Sequence, residues 1–508
     1  MKSTAPSSRR SISLASTLAG LLALGLIAPP AAAQPAAPPP AAPQPAPTPP
    51  AAGQPQPPQA PVAAAQLPAP KADPLATALA PQPGGLTPDE FAKIALQTHA
   101  SLRAKQAELR AASARVDQAA VNFFPRITLT GSYMRLSEVE QDPQLAQFGL
   151  GAQILNQYSL SASLAVPISD YVLRISQGYA AASHSETAKK LEVQAEALKI
   201  AADAKISFFN WVGLKGLVVV RDEAVSQAKA HLVDAQRTFE VGLLSRADVL
   251  RLEAQVANAE QLLTEAQATL LVADEQIRIA LGAAAQGRPL TVGIDVMTGS
   301  VAAQPPPQPL PTLQEEAFSK RLEIRALDET LYSLKKSEQL TRAGYFPRLD
   351  AVADVTYANP NQRIFPAREE FDLTWAAGAR ATWVLNDIAT TAAASAEASA
   401  RTAQVAEQKA VLRDGLRMEV AQAYTDVSKA ARSIETAERQ LAAAVEAMRV
   451  KSELFRAGRA TSTDLVDSER EVTTARLLQL NARVGALVAK TRLDHAVGRD
   501  ARDANAVK

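Results

Sequence analysis

The chain has 508 residues, a formal net charge of +1 and no cysteine. The lack of cysteine excludes disulfides, thiol catalysis, thiolate-bound metals and a lipid anchor on a terminal cysteine, and the near-neutral charge gives no reason to expect nucleic acid as a partner. Four scattered histidines and the lack of HExxH, P-loop and GxGxxG motifs lead us to expect no enzymatic activity, no cofactor and no metal.

The N-terminus has the three parts of a secretory signal peptide. Lys2, Arg9 and Arg10 form a basic region, an apolar stretch follows, and alanines at 31–33 supply a cleavage site. A membrane anchor is the alternative, but the apolar stretch is short for a span. We therefore expect residues 1–33 to be a cleaved signal and the mature protein to be exported.

Alanine, proline and glutamine dominate residues 34–85, and 20 of the chain's 34 prolines lie between positions 29 and 83. Such a composition cannot form a core and predicts a disordered linker. A segment that threads the cell wall or contacts a partner is the alternative.

A first repeat is predicted over residues 86–285. Thr87 caps a helix that the pattern extends to about Asn122, where a Phe-Phe-Pro-Arg segment ends it. Alternating apolar and small polar residues then predict strands near 126–133 and 158–167. A second helix runs to about Glu240, turns at a tip (239–250), and returns on a heptad seam rich in alanine.

A linking segment (286–311) leads to a second repeat over 312–499, and a tail (500–508) follows. The second repeat has strands near 348–357 and 371–384 and a tip at 455–467. The repeats are 222 residues apart at the strand entries but 216 apart at the tips. The first repeat therefore has six extra residues, which we place in its hairpin loop (134–157).

Amphipathic hairpins in an exported chain predict a membrane β-barrel with aromatic girdles. Strand edges are not left open in lipid, and four strands are too few to close a barrel. Three chains supply a trimeric 12-strand barrel, continued by a 12-helix tunnel built from long helices. The aromatic residues near the strand ends are Tyr133, Tyr158, Tyr357, Phe371 and Trp375.

The chain resembles the TolC-type outer-membrane efflux proteins. The resemblance covers about 86–499 and lies in the two Phe-Pro-Arg strand entries and in the tip motif at 239–250 with its echo at 455–467. It implies a homotrimer in the outer membrane of a Gram-negative bacterium, in contact with outer-membrane lipid and extending into the periplasm. It also implies a periplasmic adaptor (membrane fusion) protein and an inner-membrane pump, as in tripartite efflux or type I secretion.

Two carboxylates resemble the family's periplasmic gate. Asp464 looks like its constriction aspartate, but the residue is equally explained as the third residue of a capping box begun by Thr461. Asp467 lies past the cap and corresponds to Arg251 in the first repeat, so the duplication does not dictate it. A solvated helix position is the alternative. In a trimer, rings of carboxylates attract cations and raise one another's pKa values.

The family closes its tip with a tyrosine and an arginine, and Phe455 and Ala460 stand at the equivalent positions here. Neither side chain can supply the usual hydrogen bond or charge. Packing by Phe455, or replacement of the latch by Arg459 or Arg246, is therefore expected. Asp248 is a candidate acceptor, or serves only as a helix cap.

Two further surfaces follow from the resemblance and from strand parity. The tip residues resemble adaptor-binding sites, and their glycines also read as helix C-caps; they are Val241, Gly242, Leu243, Ala457 and Gly458. Four charged residues share the polar face of the second hairpin and are expected to line the barrel lumen, unless one or two lie at the membrane rim; they are Asp350, Asp354, Asp372 and Arg380.

An export channel without enzymatic activity is thus the predicted function. The alternative is a periplasmic coiled-coil adaptor or structural spacer, which would share the heptads but would not need two amphipathic hairpins.

Overall fold

The computed structural model describes residues 74–139, 154–282, 289–297, 306 and 308–500. The first part of the chain contains α1 (Pro74–Ala78), α2 (Pro88–Thr98), α3 (Ala100–Val121), β1 (Arg126–Arg135), β2 (Asn156–Pro167), α4 (Ser176–Glu240) and α5 (Arg246–Leu281). The second contains α6 (Leu310–Lys320), α7 (Leu322–Arg342), β3 (Arg348–Asn359), β4 (Asp372–Thr382), α8 (Asp387–Arg456) and α9 (Ser462–Val497). Both halves follow the predicted order of helix, hairpin, long helix and return helix.

The helix that precedes each hairpin is broken, which the sequence did not predict. His99 is extended, with φ −70° and ψ 123°, and separates α2 from α3. Arg321, 222 residues later, separates α6 from α7 with φ −64° and ψ 123°. Each break lies against the end of a return helix, because Thr98 Oγ1 donates to the Ala280 carbonyl at 2.7 Å and Arg321 Nη1 donates to the His495 carbonyl at 3.0 Å.

The final residues of the expected linker are folded, so the prediction of disorder through residue 85 is wrong at its end. Leu75 and Leu79 are 1% and 2% exposed. They share a core with Trp211 of α4, and Leu86 forms a parallel bridge with Val292. A proline-rich composition conceals two leucines one helical turn apart, which are enough to bury one side of α1. Residues 34–73, the expected signal peptide, residues 140–153 of the first hairpin loop and residues 501–508 of the tail lie outside the described residues.

The four strands form one antiparallel sheet in the order β1-β2-β3-β4. Its register places all apolar residues on one face, as in the row Leu129, Ala162, Val355 and Trp375. The opposite face carries rows such as Thr130, Ser161, Thr356 and Thr374. Leu129 and Trp375 are each 74% exposed, so the apolar face is uncovered in the described chain. Strands of 10 to 12 residues match the length that a tilted strand needs to cross a bilayer.

The six extra residues of the first repeat are divided between two places. Arg126 pairs with Ala165 and Arg348 pairs with Thr382, so the second strands of the hairpins are 217 residues apart. The offset becomes 216 only beyond a π-helical turn at Tyr171–Ile175, which the second repeat lacks. Because a π turn accommodates one extra residue, five residues belong to the hairpin and one to this turn. The placement of all six in the loop is therefore wrong by one residue.

The long helices pack in pairs, α4 with α5 and α8 with α9, and α9 also packs along α4. Gly216 of α4 permits close approach in that last contact, since a Cβ atom there would lie 2.7 Å from Leu480 Cδ2. Small residues thus set the distance between the two repeats.

None of the described helices combines the length and apolar character that a membrane span requires.

Candidate functional site at the helix tips

The first tip ends α4 with a glycine in the left-handed region. Gly242 has φ +77° and donates its N–H to the Phe239 carbonyl at 2.9 Å, while the Leu243 N–H donates to the Thr238 carbonyl at 3.1 Å. These two bonds form a Schellman motif. Ser245 then caps α5 by accepting from the Asp248 N–H at 3.2 Å. Val241 and Leu243 are 69% and 75% exposed.

The second tip repeats this geometry. Gly458 has φ +70°, and it and Arg459 donate to the carbonyls of Phe455 and Leu454 at 2.9 and 2.8 Å. Thr461 begins α9 with a full capping box, in which Asp464 Oδ2 accepts from the Thr461 N–H at 3.0 Å. The capping interpretation of Asp464 thus describes its geometry in a single chain. Hydrogen bonds from the Thr461 side chain and backbone hold the pKa of the Asp464 carboxyl below its usual value.

A hydrogen-bond network joins the two tips. Asp248 Oδ1 accepts from Ser462 Oγ at 2.5 Å, and Arg251 Nη1 donates to Thr463 Oγ1 at 2.6 Å. Arg251 also reaches Ser462 Oγ at 3.3 Å. Hydrogen bonds from Ser245 and Ser462 lower the pKa of the Asp248 carboxyl. Asp248 therefore combines its role in the cap of α5 with a contact to the second repeat.

Packing adds to this network. Phe455 is buried in a cluster with Ala235, Leu252, Leu465 and Val466, which come from both repeats. Arg456 Nη2 lies 3.4 Å from Asp234 Oδ2, a second ionic contact between α8 and α4. The contacts at this end thus connect the repeats through one apolar cluster and several polar bonds.

The other residues selected from the sequence are exposed at this end. Asp467 is exposed, and its Oδ1 lies 3.8 Å from Arg470 Nη1 on the next helical turn. Neither Arg246 nor Arg459 makes a side-chain hydrogen bond or ion pair within the described ranges. Gly242, Ala457 and Gly458 are exposed, and a Cβ atom on either glycine would meet no atom within 4 Å. The tip glycines therefore leave an open surface beside the network.

Sequence reasoning missed the functional candidates that depend on contacts between repeats. Arg251 was noted only as the counterpart of Asp467, and Ser462 was read only as part of a cap. The buried pair His231 and Glu469, whose Nε2 and Oε1 atoms lie 3.1 Å apart, carried no local signal. Only the fold brings these side chains together.

The charged residues of the second hairpin lie on one face of the sheet, as parity indicated. Asp350 pairs with Arg380, and Asp354 Oδ2 accepts from Arg363 Nη2 at 3.0 Å. Asp372 accepts from Arg368 at 3.0 and 2.7 Å near the end of the hairpin. These charges lie opposite the exposed apolar face, and their place in a lumen remains a prediction.

The opposite face ends in an aromatic cluster. Ring centroids of Tyr133 and Tyr158 are 5.0 Å apart, and those of Tyr357 and Phe371 are 5.1 Å apart. Tyr158 and Phe371, at 6.1 Å, connect these two pairs. Such a band is typical of the interface between lipid and water.

A sheet with an uncovered apolar face, continued by paired long helices in a duplicated order, defines a subunit of an outer-membrane channel. The model of the family described as "Outer membrane efflux protein" matches residues 92–283 and 313–499. The chain belongs to this outer membrane efflux protein family, and it is an outer-membrane transport protein of the efflux-channel class.

Solved structures of such channels share its fold. The outer-membrane channel OprN is 20% identical, with a TM-score of 0.69 over 81% of this chain and 89% of the other. VceC of Vibrio cholerae is 18% identical, with a TM-score of 0.69 over 81% and 96%. MtrE of Neisseria gonorrhoeae, solved in its open state, is 16% identical, with a TM-score of 0.67 over 81% and 88%. No curated protein sequence matches.

Proposed function

We propose that this chain forms a homotrimeric channel-tunnel that exports substrates across the outer membrane, together with a periplasmic adaptor and an inner-membrane pump. The observation that carries the proposal is the four-stranded sheet, because its apolar face is uncovered and the edges of β1 and β4 are unpaired in the described chain. Three copies supply twelve strands, a number within the range of known barrels.

The tips form the periplasmic end of this tunnel in the proposal. The exposed glycine turns (Gly242 and Gly458) offer backbone to the hairpins of an adaptor. The polar network of Asp248, Ser462 and Arg251 takes the place of the family's latch. Its bonds at 2.5 to 3.3 Å connect the two repeats, so an opening motion that separates the repeats has to break them.

Asp467 forms the selective ring in this proposal. Its carboxylate is exposed and its one ionic neighbour is 3.8 Å away, whereas Asp464 is engaged in a cap. Three such carboxylates around one axis would favour cations.

Planar-bilayer recording of the protein purified from outer membranes tests the channel. We expect Asp467→Asn to reduce the preference for cations over anions several-fold. Glu435→Gln, which removes an equally exposed carboxylate from the side of α8, serves as the control and is expected to leave selectivity unchanged. Equal selectivity in native protein and the Asp467 variant would contradict the gate, and recovery of the native chain in the osmotic-shock fluid rather than the outer membrane would contradict the channel.

A further inference from the structure

The two repeats meet at a junction inside the chain. β2 of the first repeat pairs with β3 of the second, and the Asp170 carboxylate at the end of β2 accepts from Arg348 Nη2 at 2.9 Å. Asp170 is 5% exposed and also pairs with Arg174. Ser169 Oγ accepts from the Leu349 N–H at 2.9 Å. A buried carboxylate thus fixes the entry of β3 beside the exit of β2.

The same pieces recur at the free edges of the sheet. Adding the offset of the second strands places Asp387 at the position of Asp170, and subtracting the offset of the strand entries places Arg126 at the position of Arg348. Asp387 follows the exit of β4, and Arg126 begins β1. Among the described residues, neither of their side chains has an ionic partner. The chain therefore carries an acid at one edge and a base at the other, in the arrangement that forms an ion pair internally.

The helices carry a second, independent copy of this relationship. Across the contact of α4 with α9, Glu223 pairs with Arg476. The corresponding positions are Arg439 on α8 and Glu260 on α5, so the signs are exchanged but the pair stays complementary. Both side chains are exposed, with Glu260 2.7 Å from Lys229 and Arg439 3.9 Å from Glu435. Random surface charge would not be expected to conserve complementarity while it reverses both signs.

We propose that a second copy of this chain docks its β1 and α5 against β4 and α8, and that this contact repeats the internal junction. The register of β2 with β3 then transfers to the edges, so that Ser132 lies opposite the partner's Arg380. Arg126 of one copy pairs with Asp387 of the next, and Glu260 pairs with Arg439. The inference rests on the proposed homotrimer and adds to it the strand register and the ion pairs.

Sheet chemistry restricts the choice of register. Ser132 and Arg380 both lie on the polar face, and the neighbouring pair, Tyr133 with Ala379, lies wholly on the apolar face. A slip of one residue would turn Arg380 toward the apolar face of the adjoining strand. The transferred register keeps every row of both faces continuous across the contact.

Disulfide trapping tests the register, and the chain has no cysteine to remove. We would prepare Ser132→Cys with Arg380→Cys, and separately Tyr133→Cys with Ala379→Cys, because neighbouring pairs in an antiparallel ladder alternate between wide and close spacing. The slipped control is Thr130→Cys with Arg380→Cys, whose side chains would lie about 7 Å apart. Within one chain, Ser132 and Arg380 are on strands roughly 14 Å apart, so any cross-link joins two copies.

We expect mild oxidation to convert most of one or both registered variants to a covalent trimer on non-reducing gels, and the slipped control to stay monomeric. A trimer by light scattering that cross-links in the slipped pair, or in none, would overturn the register while leaving the proposed homotrimer standing. A native protein that is monomeric by light scattering would overturn both.

Charge exchange tests the helical pair. We expect Glu260→Lys to reduce the fraction of trimer that survives heating in detergent at least two-fold, and the further change Arg439→Glu to restore it. Lys229→Gln is the control, because it removes only the internal partner of Glu260 and should leave the trimer intact. Failure of the second change to restore the trimer would overturn the proposed pairing of the helices.

Discussion

His231 Nε2 lies 3.1 Å from Glu469 Oε1, and this contact joins α4 of the first repeat to α9 of the second about two turns from the tips. Both side chains are largely buried, and Glu469 Oε1 has no aligned hydrogen-bond donor among the described residues. Burial raises the pKa of Glu469 to about 7. Burial also lowers the pKa of His231, which Arg456 reinforces and Asp234 opposes.

The first prediction concerns pH. Between the ordinary pKa of glutamate (4.5) and about 7, the unfolded chain loses its Glu469 proton and the folded chain keeps it. Stability therefore falls as the pH rises through this window, by at most about 3 kcal/mol. Glu469→Gln should remove that loss, so its melting temperature relative to the native protein should be higher at pH 8 than at pH 4.5.

Glu253, the exposed residue at the corresponding position of the first repeat, gives the control. Glu253→Gln should keep the native pH dependence. His231 has the opposite dependence, since its lowered pKa costs stability only as the pH falls below 6.5, and comparison of each variant with native protein at the same pH cancels it. A difference between the Glu469 variant and native protein that does not change with pH would refute the prediction.

The second prediction separates the two tip aspartates. Asp464 Oδ2 accepts from the Thr461 N–H and hydroxyl at 3.0 and 2.6 Å, whereas Asp467 makes no such bond. Asp464→Ala should lower stability by about 1 kcal/mol through loss of the capping box, and Asp467→Ala by much less. Denaturant titration measures both, and equal losses would show that the capping box contributes little.

The third prediction concerns the network between the tips. Ser462, 1% exposed, donates to Asp248 and accepts from Arg251. Ser462→Ala should lower stability by about 1 kcal/mol and increase single-channel conductance or open time, because it weakens the contact between repeats. Ser468→Ala is the control, since that buried hydroxyl donates to the Asp464 carbonyl of its own helix at 2.7 Å. A similar gain in conductance in the control would argue against a latch.

The fourth prediction compares the two helix breaks. Arg321 is 8% exposed, and its guanidinium donates to Glu419, Glu323 and the His495 carbonyl at 3.0 to 3.1 Å. Arg321→Ala leaves these acceptors unpaired and should cost about 3 kcal/mol. His99→Ala, at the exposed counterpart, should cost less than about 0.5 kcal/mol. Thermal unfolding of the two variants checks the contrast, and similar losses would contradict it.

The sequence was sufficient for those features that depend on local periodicity and punctuation. The Schellman glycines and the capping box at Thr461 were predicted because their hydrogen bonds join residues within one turn. Strand parity was likewise sufficient for the two faces of the sheet, since a strand turns its side chains alternately.

The missed features depend on partners far away in the sequence. The breaks at His99 and Arg321 have neither proline nor glycine, and the helical period continues on both sides of them. Their extended backbone is held by contacts to the ends of α5 and α9, which are 174 to 182 residues away. Arg251 and Ser462 are 211 residues apart, so no local pattern joins them.

The π-helical turn at Tyr171–Ile175 has a consequence for the assembled tube. One added residue in a helical turn rotates all later side chains by about 100° relative to the strand that precedes them. Only the first repeat has this rotation, so its long helix leaves the sheet with a different side facing inward. Six walls made from perfect repeats would be interchangeable, but here they alternate between two kinds. A ring of three chains therefore has threefold and not sixfold rotational symmetry from the sheet onward.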